Sequence, residues 1–212
     1  MKKVDLKKQF KGFYSASAKE AVMVEAPRWN YLMIDGQGDP NTFPEFQDAI
    51  GALYGVAFTL KFMLKKAKPP RDYAVMPPEG LWWCEGMKEF SMDHKDRLRW
   101  TLMILQPEFV TRELFAQALE QVKKKKDSHA LSKMRFEALE EGTCAQILHI
   151  GPYATEAPTI SKMHRFIEEA GYRPAGKHHE IYLGDPRRTA PEKLKTILRQ
   201  PVRKKGAGSG NA

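Results

Sequence analysis

Two periods of apolar residues run through the chain, one typical of helices and one typical of strands. Residues 44–66 repeat apolar side chains at a helical period over several turns, and 108–126 and 158–170 do so over shorter lengths. Between them lie short runs rich in β-branched and aromatic residues, bounded mostly by Gly or Pro. The predicted strands are 21–25, 29–35, 73–76, 81–85, 98–105, 134–139, 144–150, 177–183 and 194–198. This order of helices and strands predicts an α+β fold.

The order of elements repeats once along the chain. Placing Gly36 on Gly151 overlays two segments that each read strand–strand, helix, strand, strand. We expect a duplicated unit with pseudo-two-fold symmetry, although two short patterns can also match by chance. The predicted division is a basic N-terminal segment (1–20), a first half (about 21–106), a connector helix (about 107–127), a second half (about 132–201) and a flexible basic tail (202–212).

The net charge of +9 comes from the ends of the chain rather than from its body. Residues 1–20 and 199–212 each carry +4, which leaves +1 for 21–198. This distribution indicates solvated termini, so it argues against a basic groove for nucleic acid. No apolar run approaches the roughly 20 residues that span a bilayer, and no apolar run follows the N-terminal lysines as in a signal peptide. Cys84 and Cys144 form neither a disulfide framework nor a metal motif, so we expect a cytoplasmic protein.

Several short motifs of the second half occur in a fixed order. Residues 141–153 (EGTCAQILHIGPY) end in a His-x-Gly-Pro-Tyr turn, and 177–186 (KHHEIYLGDP) combine a Glu-x-Tyr strand with a Gly-Asp-Pro turn. Together with 187–196 (RRTAPEKLKT) and 79–83 (EGLWW), they resemble the GyrI-like small-molecule-binding superfamily. The resemblance covers roughly 20–201 and is strongest to a standalone bacterial branch that is related to cyclopropanoid cyclopropyl hydrolases.

The resemblance implies a tandem strand-helix-strand-strand (SHS2-type) fold. Its antiparallel sheet carries helices on one face and a ligand cleft at the pseudo-two-fold. Regulators of the superfamily add a helix-turn-helix domain, and about twenty residues before the first strand are too few for one. The implied protein is a standalone binder or enzyme, a monomer or homodimer, with an aromatic or hydrophobic small molecule as its partner and no cofactor.

Glu180 and Tyr182 are the first candidates for chemistry. Alternation on a strand puts His178, Glu180 and Tyr182 on one face and Ile181 and Leu183 on the other, which we expect to be the face packed by helices. In the family the glutamate lies in an aromatic cleft and meets cationic or polar ligand groups. Desolvation there would raise its pKa and suit it to general-base work. The alternative is an exposed strand charge.

Tryptophans of the first half are the expected aromatic wall of this cleft. Trp82 and Trp83 point to opposite faces, and we favour Trp83 with Glu85 opposite Glu180. Further candidates for the lining, each of which could instead be packing, are Tyr73, Trp100 and Tyr153.

The histidines and cysteines do not indicate metal or thiol chemistry. His178 and His179 are adjacent on a strand, so they diverge and cannot chelate one ion together. Neither cysteine lies in an activating motif. We therefore predict no metal site.

Three hypotheses for function remain open. The first is a binding protein that sequesters amphipathic compounds between aromatic walls. The second is a metal-independent hydrolase, as in standalone family members that open the activated cyclopropane of DNA-alkylating natural products. Glu180 would then deprotonate a water, and Trp83 would stack on the substrate. Tyr182 would either position the water or donate a hydrogen bond to the electron-rich oxygen that forms on the leaving side. The third is a gyrase- or nucleic-acid-interacting protein.

Overall fold

The computed structural model describes residues 3–84, 86 and 97–206, and the chain forms two compact α+β units. Unit 1 comprises residues 1–11 and 28–140, and unit 2 comprises residues 12–27 and 141–212. The helices are α1 (Leu6–Gln9), α2 (Lys11–Tyr14), α3 (Pro44–Lys66), α4 (Arg112–Lys123), α5 (His129–Ser132) and α6 (Ala157–Glu169). The strands are β1 (Val22–Ala26), β2 (Trp29–Gln37), β3 (Glu79–Cys84), β4 (Leu98–Gln106), β5 (Arg135–Leu139), β6 (Gly142–Ile150), β7 (Tyr172–Pro174), β8 (His178–Tyr182) and β9 (Lys195–Lys204).

The sheet of unit 1 is antiparallel, in the order β3–β4–β2–β5. Helix α3 begins at Pro44, where the missing backbone N–H costs nothing, and packs on β2 and β4. Its apolar stripe is fully buried at Leu53, Val56 and Leu60. Because the residues that pack on the sheet recur at the helical period, the sequence pattern predicts this helix directly.

The sheet of unit 2 is also antiparallel, in the order β1–β6–β9–β8, with β7 on the far part of β9. Helix α6 covers one face, where Met163 and Ile167 pack on Ala145, Ile147 and Leu198. Gly171 follows this helix at φ +82, the left-handed conformation that ends helices and favours glycine. The predicted α+β class, with an antiparallel sheet and helices packed on it, is confirmed.

The edge strands of the two units are interleaved along the chain. Strand β1 immediately precedes β2 in sequence, but it pairs with β6 of unit 2. Strand β5 precedes β6, but it pairs with β2 of unit 1. Residues 22–26, expected in the first half, therefore form the edge of the second sheet.

Four boundaries differ from the sequence-based prediction. Helix α4 begins at Arg112 rather than 108, because the Thr111 hydroxyl accepts the backbone N–H of Leu114 at 3.3 Å and caps it. The strand predicted at 73–76 is reduced to a bridge between Tyr73 and Val4. Strand β9 continues to Lys204, so 202–204 are paired strand rather than tail. The basic N-terminal segment contains α1 and α2.

The described helices were also compared with the requirements of a membrane span. Among the described residues, no helix has the length and apolar content that crossing a membrane requires.

Candidate functional site

Glu180 and Tyr182 lie together on one face of β8, as strand alternation predicts. The Tyr182 hydroxyl donates a hydrogen bond of 2.8 Å to Oε2 of Glu180. Glu180 is 7% exposed, so its carboxyl group is largely removed from water. A carboxyl group and a phenol are thus held in contact in a desolvated setting.

The face that carries this pair is the helix-bearing face of unit 2, and the expectation of the opposite face was wrong. Glu180 pairs with Leu198, and Leu198 pairs with Ile147, so all three share a face. Leu198 and Ile147 pack against Met163 of α6. Ile181 is buried on the other face, which explains why its apolar character did not identify the helix side.

Glu156 lies beside Glu180 and was not anticipated from the sequence. It immediately precedes α6 and is 5% exposed. Burial and the neighbouring Glu180 carboxyl raise the pKa of Glu156 to about 9, while the Thr196 hydroxyl acts in the opposite direction. Glu156 therefore keeps its proton near neutral pH, beside the carboxyl group of Glu180. The available signal was a glutamate at the start of a predicted helix, three residues after the Gly-Pro-Tyr turn.

Tyr153 forms the solvent side of this group. It lies in a short 3-10 turn, is 40% exposed, and its ring meets that of Tyr182 edge-on at 5.6 Å. Burial of the hydroxyl and the nearby Glu156 raise the pKa of Tyr153 to about 12. The phenol therefore stays protonated at neutral pH and can donate a hydrogen bond.

His149 fixes the turn that carries Tyr153. Its Nδ1 lies 3.0 Å from Oγ1 of Thr159 on α6, and its Nε2 lies 3.2 Å from the carbonyl oxygen of Pro152. The turn and the helix are therefore tied to the end of β6. The sequence analysis did not assign this histidine to the site.

His178 completes the group around Glu180. It is 2% exposed, and its Nε2 lies 3.5 Å from Oε1 of Glu180. We call Tyr153, Glu156, His178, Glu180 and Tyr182 the acidic cluster. The groups that set the pKa of Glu156 are a second carboxyl group and a hydroxyl, neither of them a cation. Such a cluster is suited to binding a cationic group or to moving a proton.

The tryptophan candidates divide between the two faces of unit 1. Trp82 is 4% exposed and stacks on Phe46 of α3, so it lies on the helix-bearing face. Trp83, which the sequence favours as the aromatic wall of a cleft, is half-buried and lies on the other face of β3, and its place in a cleft stays a prediction. Glu85 lies outside the described residues.

Tyr73 and Trp100 are core residues of unit 1. Tyr73 is fully buried, and its hydroxyl lies 3.4 Å from the carbonyl oxygen of Ala57 and 3.3 Å from Oε1 of Gln106. Burial raises its pKa, so the phenol is a structural donor. Trp100 is 1% exposed and meets Phe46 edge-on at 5.3 Å.

A second polar group lies on the opposite face of unit 2. Both carboxylate oxygens of Glu141 lie 3.0 Å from Nδ1 of His179, and Nη1 of Arg199 donates to Oε2 at 3.3 Å. These cationic partners outweigh desolvation and lower the pKa of Glu141 to about 2. Arg199 also donates to the carbonyl oxygen of Phe13 at 2.8 Å, which fastens the N-terminal segment to β9. Arg199 is therefore a buried structural cation, although its charge was expected among the solvated charges of residues 199–212.

Metal binding finds no support in the part of the chain that the structure describes. There, no three His, Cys, Asp or Glu side chains are grouped so that they could hold an ion. Cys144 is buried, which together with Glu141 raises its pKa to about 12, so it is not a thiolate.

The antiparallel sheets with helices packed on them agree with the fold of a small-molecule-binding domain. The profile of the GyrI-like small molecule binding domain matches residues 20–203, and the chain belongs to this family. This finding confirms the resemblance inferred from the motifs. No curated protein matches the chain.

Solved structures with high similarity come from Listeria innocua. An uncharacterized conserved protein is 42% identical, with a TM-score of 0.87, and covers 95% of this chain and 100% of its own. A protein described as a hydrolase is 40% identical, with a TM-score of 0.85 and the same coverage. The EcmrR C-terminal domain shares the fold at 14% identity and a TM-score of 0.56, covering 88% of this chain and 98% of its own.

Proposed function

We propose that the chain hydrolyses electrophilic, cyclopropane-containing xenobiotics at the acidic cluster and thereby detoxifies them. The observation that carries this proposal is that Glu156 and Glu180 are neighbouring buried carboxyl groups, of which Glu156 keeps its proton at neutral pH. A base and an acid are then adjacent before any substrate arrives. The 40% identity to a Listeria innocua protein described as a hydrolase supports the reaction class.

The two glutamates of the cluster have distinct tasks in this reaction. Glu180 accepts a proton from a water, whose oxygen forms a bond to the cyclopropane methylene carbon. The breaking carbon–carbon bond sends its electron pair into the conjugated carbonyl group of the substrate. Glu156, as the protonated member, donates its proton to that carbonyl oxygen, and the proton gained by Glu180 restores the pair. The product contains one added water, and the cluster returns to its starting state.

Tyr153 and Tyr182 position the substrate and the water next to Glu156 and Glu180. Tyr153 is exposed and adjoins Tyr182, so its ring offers a surface for a planar substrate on the solvent side of the cluster. Tyr182 holds Oε2 of Glu180, so the water would approach Oε1, the oxygen that lies 3.5 Å from Nε2 of His178. An aromatic surface next to a protonated carboxyl group favours flat molecules with a carbonyl acceptor.

The test is turnover of a spiro-cyclopropyl dienone in water enriched in oxygen-18. We expect loss of the dienone absorbance and one labelled oxygen in the ring-opened phenol. Glu180→Gln should lower kcat by about 100-fold or more, in the range typical of a lost general base. Glu168→Gln is the matched control, because it changes an exposed carboxylate of α6 and should leave kcat unchanged.

Two results would separate the parts of the proposal. An unlabelled product, or a Glu180→Gln variant as active as the parent, would refute hydrolysis at the cluster. Saturable binding of the dienone without turnover would instead favour the sequestering function, which also fits a small-molecule-binding family.

A further inference from the structure

A cavity in unit 1 is lined by none of the residues of the acidic cluster. Its volume is about 220 Å³, and it opens where α3 begins, beside β2 and α5. Its apolar wall is formed by Ile34, Pro44, Ala49, Trp100 and Ala130. An engineered apolar cavity of about 150 Å³ holds benzene, so this volume is sufficient for a molecule of one or two rings.

Trp100 belongs to the cavity wall and carries a hydrogen-bond donor without a partner among the described residues. Its indole lies against Gly36, where a Cβ atom would come within 2.1 Å of the ring, so glycine at this position makes room for it. The ring of Phe46 also packs edge-on against the indole of Trp100, with the ring centroids 5.3 Å apart. Nε1 of Trp100 is buried and has no acceptor among the described residues. A buried N–H without an acceptor is unfavourable, and a ligand acceptor would relieve that cost.

The charged side chains around the cavity are already compensated. Asp48 accepts hydrogen bonds from Oγ of Ser128 at 2.7 Å and from the backbone N–H of Ala130 at 3.3 Å. Asp35 accepts a hydrogen bond of 2.6 Å from Oγ1 of Thr101. The ion pairs at the rim are Lys126–Asp48, Lys133–Glu45 and Arg135–Asp35. Acids and bases balance, so the site has no preference for a charged ligand.

We propose that this cavity is a second small-molecule site, for an uncharged one- or two-ring heteroaromatic molecule whose ring nitrogen or carbonyl oxygen accepts the Nε1–H of Trp100. Apolar residues enclose the rings, and the indole supplies the directional contact. The site uses no residue of the acidic cluster, so it can exist whether or not the proposed hydrolysis occurs.

The test compares pyridine and benzene, which differ by one ring nitrogen. At pH 8 pyridine is uncharged, and its binding is followed through the four tryptophan indole N–H resonances of the ¹⁵N-labelled protein. Trp100→Phe assigns the Trp100 signal by its loss. We expect pyridine to move this signal saturably and downfield, and benzene to cause no downfield shift, because benzene has no acceptor.

Variants that fill the cavity make the test decisive. Ala49→Leu and Ala130→Val place extra volume at two different points of the wall, so one can report if the other fails to fold. Either folded variant should weaken pyridine binding by about 10-fold or more, as expected for a site that is filled. Glu180→Gln should leave the shift unchanged.

Two outcomes would overturn the proposal. One is the absence of a saturable Trp100 shift in the parent protein, and the other is an undiminished shift in a folded Ala49→Leu or Ala130→Val variant. Failure of the dienone assay would not affect either measurement, so the two proposals are tested separately.

Discussion

Replacing Glu156 by glutamine removes the proton equilibrium of the acidic cluster at almost constant volume. In the unfolded chain Glu156 ionises with its ordinary pKa of 4.5, whereas burial beside Glu180 raises the pKa in the folded protein to about 9. At pH 7 folding must therefore keep a proton that the unfolded state has lost. Keeping this proton lowers the free energy of unfolding by about 3 kcal/mol, which is the difference between pH 7 and the unfolded-state pKa of 4.5 converted to free energy.

Glutamine has no proton to lose, so Glu156→Gln should raise the free energy of unfolding by about 1–3 kcal/mol at pH 7. The sign follows from a raised folded-state pKa: the parent protein has the full contribution of Glu156 below pH 4.5 and loses it as the pH rises toward 9. The gain from the substitution should accordingly grow by about 1.4 kcal/mol per pH unit across that window.

Urea unfolding followed by circular dichroism at pH 5, 7 and 8.5 measures this gain. Glu168→Gln is the control, because it removes an exposed carboxylate from the same helix and should change stability by less than about 0.5 kcal/mol. The reasoning would be refuted if Glu156→Gln were less stable than the parent at pH 8.5, or if its advantage were the same at all three pH values.

Three further predictions concern the framework of unit 2. Glu141→Gln should destabilise by about 3 kcal/mol, because Arg199 is left buried without its counter-charge; a loss below about 1 kcal/mol would contradict this role. Because the folded-state pKa of Glu141 is depressed to about 2, its contribution is present above pH 4.5 and is lost as the pH falls toward 2, and the variant should lack this loss in acid unfolding. Met163→Ala should cost about 2–5 kcal/mol in chemical unfolding, since it opens a cavity in the core under α6, and near-neutrality would show that the core collapses to fill it. Gly171→Ala should lower the free energy of unfolding by about 1 kcal/mol through its φ of +82 alone, because an added Cβ there meets nothing within 4 Å. The control is Gly12→Ala, which should cause no loss, because position 12 is equally open but lies in α2.

The elements of the fold were predictable because their periods are clean. Helix α3 and strand β2 were placed nearly to the residue, since one face of each is continuously apolar. The pairing of β1 with β6 was not predictable in the same way. Which strands pair depends on contacts between residues far apart in sequence, whereas adjacency in sequence would favour β2 as the partner of β1.

The candidate site was predictable only in part, for a reason that Glu180 makes clear. Alternation establishes that Glu180 and Tyr182 share a face, but not which face, because both faces of β8 are buried. Ile181 and Glu180 have similar burial on opposite sides, so hydrophobicity cannot assign the helix to one of them. Glu156 was missed because its contact with Glu180 depends on where α6 begins above the sheet, a distance that no local pattern records.

Strands β8 and β9 carry two polar groups on opposite faces of the sheet of unit 2. The two groups differ in how the charges of their carboxyl groups are compensated. On one face, Glu141 meets Arg199 and His179, so its charge is matched and its proton is lost easily. On the other face, Glu156 meets a second carboxyl group, so the charge is unmatched and a proton must remain. A cationic ligand would displace that proton, because it supplies the missing positive charge. A neutral electrophile would leave the proton in place for transfer to its own oxygen. If the acidic cluster is the site, we therefore expect the charge of the ligand to decide whether the two carboxyl groups bind it or act as an acid and a base.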